Sequence, residues 1–196
     1  MTTAEAVETI LRQVGQGAVV VSSLGRTAEE VFRRHPTALF LDCLGAPTPV
    51  ACGVALGASE VHTVCFDTDG SFLMDLSTIL ALHRTIELCG ERLTLAVLDN
   101  GILESGGGDA SRSCPLDWTG LLASVGVDAV LAGSASELRD ALGRSPHPGV
   151  IIARVENLEP ASGPEKSTDG RQSRDRFVEH LLALRGQTAA PRATKS

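Results

Sequence analysis

An α/β fold built on a single doubly wound parallel sheet flanked by helices is what this sequence predicts. Runs such as AVVVS at 18–22 and LTLAVL at 93–98 are almost wholly apolar instead of alternating, as strands covered on both faces are. Between such runs lie segments whose apolar residues recur at helical spacing. Strands separated by helices in this way pair in parallel, because each crossover helix must pack back onto the sheet.

The elements follow in order. In 4–14, Ala6, Val7, Ile10, Leu11 and Val14 form one helical stripe, which Gly15 and Gly17 end. The run at 18–22 is the first strand. Helices are predicted at 26–34, 47–58, 72–88, 116–125, 135–143 and 173–185, and further strands at 38–42, 62–67, 93–98, 128–131 and 149–155. Residues 157–172 (NLEPASGPEKSTDGRQ) lack periodicity and read as a loop. The domain is expected to span 1–186, with a disordered tail at 187–196.

Composition narrows the function. A chain of 196 residues, 43% of them hydrophobic, suits one core. The net charge of −7, without a Lys/Arg run, argues against a nucleic-acid or anionic-membrane partner. Five cysteines, none in a Cys-x-x-Cys pair, suggest reduced core thiols and a cytoplasmic protein. No apolar run approaches the ~20 residues that cross a bilayer.

In an open parallel sheet, ligands bind beyond the carboxyl ends of the strands. After the strand at 62–67 comes Thr68-Asp69-Gly70-Ser71, leading into a helix: an acid, a glycine that permits close backbone approach, and free helix-start amides suited to a phosphate. After the strand at 93–98 comes Asp99-Asn100-Gly101-Ile102, then Glu104-Ser105-Gly106-Gly107-Gly108. Asp69 and Asn100 therefore end consecutive strands, lying side by side or one strand apart. A carboxylate, an amide oxygen and a backbone carbonyl are hard ligands; with two phosphate oxygens and a water they complete the octahedral shell of Mg²⁺. Each turn alone is unremarkable, since Asn-Gly after a strand is usually only a turn. Arg112 has the donor geometry for a sulfonate or phosphonate, but the sequence favours a simpler role for it. His62 and His83 read as packed or exposed groups.

With these segments in order, DGSFLMDL followed by LDNG and ESGGGDASRS, the chain resembles thiamine-diphosphate enzymes, and most closely the sulfopyruvate and phosphonopyruvate decarboxylases. The resemblance also takes in VVVSSLGRTAEEVF, LDCLGAPTPVACGVALG and the Arg176-Phe177 pair, and covers about residues 17–185. It implies that thiamine diphosphate and Mg²⁺ are the cofactors. Asp69, the Asn100 side chain and the Ile102 carbonyl would hold the metal, and Gly70 and Ser71 would contact the diphosphate. Leu44, before Gly45, would wedge beneath the bent cofactor, and the Asp42 carbonyl would accept from its amino group. Glu104 and Ser105 complete the cofactor-binding set. Three positions depart from the family pattern: Asp42 and Thr68 stand where glycine is usual, and Asp109 where glutamine is common.

The resemblance further implies that the activating glutamate is not in this chain but on a separate pyrimidine-binding subunit, in an α2β2 or larger hetero-oligomer. The expected function is decarboxylation of a small 2-oxo acid, sulfo- or phosphonopyruvate-like, to an aldehyde. Two rivals stand beside it: a carboligase or acyloin-type synthase using the same cofactor, and a non-catalytic partner subunit whose cofactor site has decayed.

Overall fold

The structure is a computed structural model that describes residues 1–144, 148–156 and 169–189. The helix α1 (Thr3–Val14) precedes β1 (Ala18–Ser22), α2 (Arg26–Arg34), β2 (Leu39–Phe40), α3 (Pro47–Gly57) and β3 (His62–Thr68). Then come α4 (Asp69–Met74), α5 (Thr78–Cys89), β4 (Leu93–Asp99), and a small hairpin of β5 (Ile102–Leu103) and β6 (Asp109–Ala110). The chain continues through α6 (Trp118–Ala123), β7 (Ala129–Ala132), α7 (Ala135–Leu142), β8 (Val150–Arg154) and α8 (Gly170–Ala189).

Six strands form one parallel sheet in the order β2-β1-β3-β4-β8-β7. The order reverses between β1 and β3, which run outward on opposite sides, and that is what makes the sheet doubly wound. Alternate residues of each strand feed two separate cores. Val20, Phe66, Ala96, Leu98 and Ile151 face Ile10, Val31 and Leu138 of α1, α2 and α7. Val19, Val21, Cys65, Leu95, Val97 and Ile152 face Cys52, Phe72, Leu82, Leu122 and Phe177 of α3, α4, α5, α6 and α8. Because both faces are covered, the central strands need no polar side, and β1 and β4 are buried at every position. The short edge strand β2 is closed by α8: Ser173 Oγ accepts from Phe40 N (3.1 Å) and donates to Ala38 O (3.2 Å).

The helix predicted at 72–88 is two helices. Asp75 leaves the helical region (φ −123°, ψ 57°); its carboxylate accepts from the hydroxyls of Ser77 and Thr78 and its carbonyl from Thr78 N (3.0 Å), and the chain resumes helix at Thr78 as α5. Apolar periodicity continues across the break because both helices pack on the same face, so the pattern concealed it. Strand 38–42 contracts to Leu39–Phe40. The last helix begins at Gly170, where Asp169 Oδ1 accepts from Arg171 N and Gln172 N, and it runs to Ala189, past the expected start of the tail. The rest of that tail, 190–196, and 157–168 of the predicted loop lie outside the described residues. The hairpin β5–β6 was not predicted: its Ile102↔Ala110 and Leu103↔Asp109 pairs are too short to carry a periodic signal. No helix among the described residues is long and apolar enough to cross a membrane.

Candidate cofactor site

The chemistry gathers at the carboxyl ends of β1, β3 and β4, which are neighbours in the sheet. The pairing Thr68↔Leu98 brings the next residues, Asp69 and Asp99, to adjacent strand ends, with Asn100 following. Of the two arrangements open from sequence, side by side is therefore the one adopted.

Asp69 opens α4, with Thr68 as its N-cap and Thr68 Oγ1 accepting from Ser71 N at 3.4 Å. The Asp69 side chain is 0% exposed. Its Oδ2 accepts from Ser111 Oγ and from Arg112 Nη1 (2.9 Å), whereas Oδ1 is buried with no hydrogen-bond partner. Burial raises the carboxyl's pKa above its ordinary value; the Ser111 hydrogen bond opposes this, and the nearby Asp99 adds to it. A buried carboxylate oxygen without a partner is costly, and a cation is one way to satisfy it.

Asp99 is held from every side. Arg112 grips it through Nη1 to Oδ1 (2.8 Å) and Nη2 to Oδ2 (3.1 Å); Trp118 Nε1 donates to Oδ2 (2.8 Å) and Gly101 N to Oδ1 (3.2 Å). Asn100 follows in an Asx turn, with Oδ1 accepting from Ile102 N at 3.1 Å, which aims the amide oxygen into the loop rather than along the strand. Beneath them lies Asp67, fully buried, accepting from Thr48 Oγ1 (2.7 Å) and Thr68 N (2.9 Å), its pKa raised by desolvation.

Above this floor opens a cleft of about 210 Å³ lined by Ser23, Arg26, Leu44, Thr68, Asn100 and Ile102, among others. Glu104 and Ser105 also line it. Of the residues singled out from sequence, Leu44, Asn100, Ile102, Glu104 and Ser105 line the cleft, whereas Gly45, Asp69 and Gly70 do not; Asp69 and Gly70 are buried directly after Thr68, which does. Gly70 has no room for a side chain, since a Cβ there would overlap Leu103 Cδ2. Three more stand outside the lining. The Ser71 hydroxyl does not line the cleft; it is buried and accepts from Gly45 N at 3.0 Å, because the short α4 turns it back toward the Leu44 turn. Arg112 is committed to two carboxylates, which takes it away from an anionic substrate. Asp42 is exposed and does not line the cleft.

Sequence reasoning assigned no role to the turn after β1. There Ser23 Oγ is buried with no hydrogen-bond partner, Gly25 (φ 69°) begins α2 without a side-chain cap, and Arg26 pairs with Glu104 across the cleft (Nε to Oε1, 3.2 Å). The signal available was a Ser-Ser-Leu-Gly segment immediately after an apolar strand, the same strand-then-glycine pattern used to find Asp69.

Residues 13–152 match the thiamine pyrophosphate enzymes in their C-terminal TPP-binding domain. The chain belongs to that family. It is 33% identical over 143 residues to the phosphonopyruvate decarboxylase of Streptomyces hygroscopicus, a match covering 70% of this chain and 34% of that protein. The chain thus spans about a third of that decarboxylase. To the sulfopyruvate decarboxylase subunit beta of Methanococcus maripaludis it is 25% identical over 136 residues, covering 68% of this chain and 71% of the subunit. In fold it is similar to a Mycobacterium smegmatis protein described as a thiamin diphosphate-dependent enzyme, with a TM-score of 0.65, 22% identity, and coverage of 81% of this chain and 32% of that one. The TPP-binding fold is therefore that of a family whose members related to this chain include decarboxylases of phosphonopyruvate and sulfopyruvate.

Proposed function

We propose that this chain is the cofactor-binding subunit of a two-subunit, thiamine-diphosphate- and Mg²⁺-dependent decarboxylase acting on a small 2-oxo acid of the sulfopyruvate or phosphonopyruvate type. The observation that carries the metal site is Asp69 Oδ1, an unpartnered carboxylate oxygen buried at the end of β3, whose neighbouring strand β4 ends one residue before Asn100. The residues fit the group: Asp69, Asn100 and the Ile102 carbonyl supply three hard oxygen donors, and the diphosphate would supply more.

When bound, thiamine diphosphate supplies the electron sink into which the bond to a carboxylate breaks, releasing CO₂. The rest is done by the protein. Uncapped amides at the start of α2 place positive potential on the β1 side of the cleft, suited to an anionic ligand, while Arg26 there is balanced by Glu104. Gly70 lets Leu103 of the hairpin pack directly on the α4 backbone, which sets where the hairpin sits over Asp69. Leu44 and Ile102 present apolar walls, which exclude water and favour a charged carboxylate becoming neutral CO₂. Ser111 and Arg112 seal Asp69 from solvent, so a cation reaches Oδ1 only as the β5–β6 hairpin yields.

The cleft's open side calls for a second polypeptide that covers the aminopyrimidine and supplies the activating glutamate. The relationship to a beta subunit supports this. Calorimetry of thiamine diphosphate with Mg²⁺ tests the site. Asp69→Ala and Asn100→Ala should each abolish Mg²⁺-dependent binding while the protein stays folded; unchanged affinity in both refutes the assignment. Product analysis of the assembled enzyme, aldehyde against a coupled hydroxyketone, separates decarboxylation from carboligation.

A further inference from the structure

We infer that Arg112 is the built-in counter-cation of the metal site, bridging Asp69 and Asp99 so that a divalent cation cannot settle there until the diphosphate arrives with it. This rests on the reading of Asp69 as a metal ligand and adds a rule about when the metal binds.

Charge and geometry both lead there. Asp69 and Asp99 stand at the ends of paired strands, close enough for one Arg112 Nη1 to reach both, at 2.9 Å and 2.8 Å. Two carboxylates at such separation, backed by an amide and a carbonyl, would be an adequate divalent-cation cage on their own. Arg112 prevents this in two ways. Its permanent positive charge reduces the net charge of the trio from −2 to −1. Its second nitrogen, 3.1 Å from Asp99 Oδ2, completes a fork that, with Trp118 Nε1, occupies both Asp99 oxygens and stops that side chain turning toward a metal. Three of the four carboxylate oxygens are thereby taken, and Asp69 Oδ1 alone is left. One carboxylate oxygen is a poor match for Mg²⁺, which binds through one or two carboxylates together with substrate phosphates. The diphosphate must make up the missing negative charge. The guanidinium is 26% exposed, so its field is only partly screened.

The chain carries a single tryptophan, Trp118, which is bonded to Asp99 and lies 5.9 Å from the Arg112 guanidinium. Its fluorescence should be quenched by paramagnetic Mn²⁺ in the site, giving a readout independent of turnover. The experiment titrates Mn²⁺ into the purified full chain, with and without thiamine diphosphate. The wild type should show saturable quenching only with thiamine diphosphate. Arg112→Gln should saturate without it, at a Mn²⁺ concentration at least about tenfold lower than the wild type requires under the same conditions. Arg112→Lys, which keeps the charge, should behave like the wild type. Arg112→Gln combined with Asp99→Asn should lose the gain, because a negative charge has gone with the positive one; a merely structural role for Arg112 predicts no such reversal. Asp99→Asn alone should weaken Mn²⁺ binding in the presence of thiamine diphosphate about tenfold, and this arm decides the matter should Arg112→Gln fail to fold. Equal diphosphate-free affinity in the wild type and folded Arg112→Gln, or an unaffected Asp99→Asn, overturns the role of Arg112. A wild type that never binds Mn²⁺, even with thiamine diphosphate, overturns the metal site itself.

Discussion

The backbone N–H of Gly45 donates to the buried hydroxyl of Ser71 across 3.0 Å, tying the turn that carries Leu44 to the first turn of α4. Two turns that are 26 residues apart in the chain are thus held in one register. Gly45 itself adopts φ 81°, and a Cβ there would sit 3.2 Å from Asp75 Cβ, at the break between α4 and α5. The break and the turn are built against each other.

Removing that hydroxyl should be felt in stability and binding together. Ser71→Ala strands a buried N–H, at a cost of about 1–3 kcal/mol. At roughly 2–4 °C per kcal/mol for a chain of this size, the melting temperature should fall by several degrees, with cofactor affinity falling as well. Thermal unfolding and calorimetry check both; an unchanged melting point removes the link.

Gly70 makes a sharper case because the obstacle is a single side chain. Gly70→Ala forces Leu103 aside and with it the β5–β6 hairpin, an overpacking cost of about 1–3 kcal/mol. Cofactor affinity should fall about tenfold or more, and adding Leu103→Ala should recover most of it. Binding isotherms of the single and double variants decide this, and absence of recovery would show that the glycine serves the ligand alone.

Cofactor and partner should bind cooperatively, since each covers surface the other leaves open. Leu44 and Ile102, the latter 37% exposed, stand on the rim of the cleft. The interface around them is expected to exceed the ~2,000 Å² common in obligate complexes. Co-expressed with its partner, the chain should bind thiamine diphosphate more tightly than alone, and Leu44→Glu with Ile102→Glu should weaken assembly. Size-exclusion chromatography with calorimetry tests it; identical affinity with and without the partner would place the site elsewhere.

Acid should loosen the packing of α8 on the edge strand. His35, buried against the His180 ring at 5.4 Å and bonded through Nδ1 to Thr37 Oγ1 (3.1 Å), has its pKa lowered from 6.5, chiefly by burial and then by His180. A base with a depressed folded pKa contributes stability that is present above its unfolded value, near 6.5, and is lost as pH falls through the folded one. The melting temperature should therefore drop between pH 7.5 and 5.5 more steeply in the wild type than in His35→Gln. Parallel slopes would show that His35 does not carry the effect.

Much of this molecule was legible before any coordinates. Strands buried on both faces are mostly apolar instead of alternating, so β1, β3 and β4 announced themselves despite isolated polar residues such as Thr63 and Thr94, and with helices between them the parallel sheet followed. That Asp69 and Asn100 stand just past strand ends, where ligands bind in such sheets, was legible too. The break at Asp75 was not, because two helices on one core face share one periodicity and the apolar stripe runs on across the break.

Residue types and their order along the chain determined the fold class, the location of the cofactor cleft at the strand ends, and the candidate metal ligands Asp69 and Asn100. Tertiary structure alone decided that β3 and β4 are neighbours, that Ser71 turns inward to Gly45, that Ser23 and Arg26 join the cleft, and that Arg112 lies between Asp69 and Asp99. The physical reason is distance: periodicity and strand-end position are properties of neighbouring residues. A guanidinium that meets a carboxylate 43 residues away does so only once the sheet order and the hairpin have brought them together.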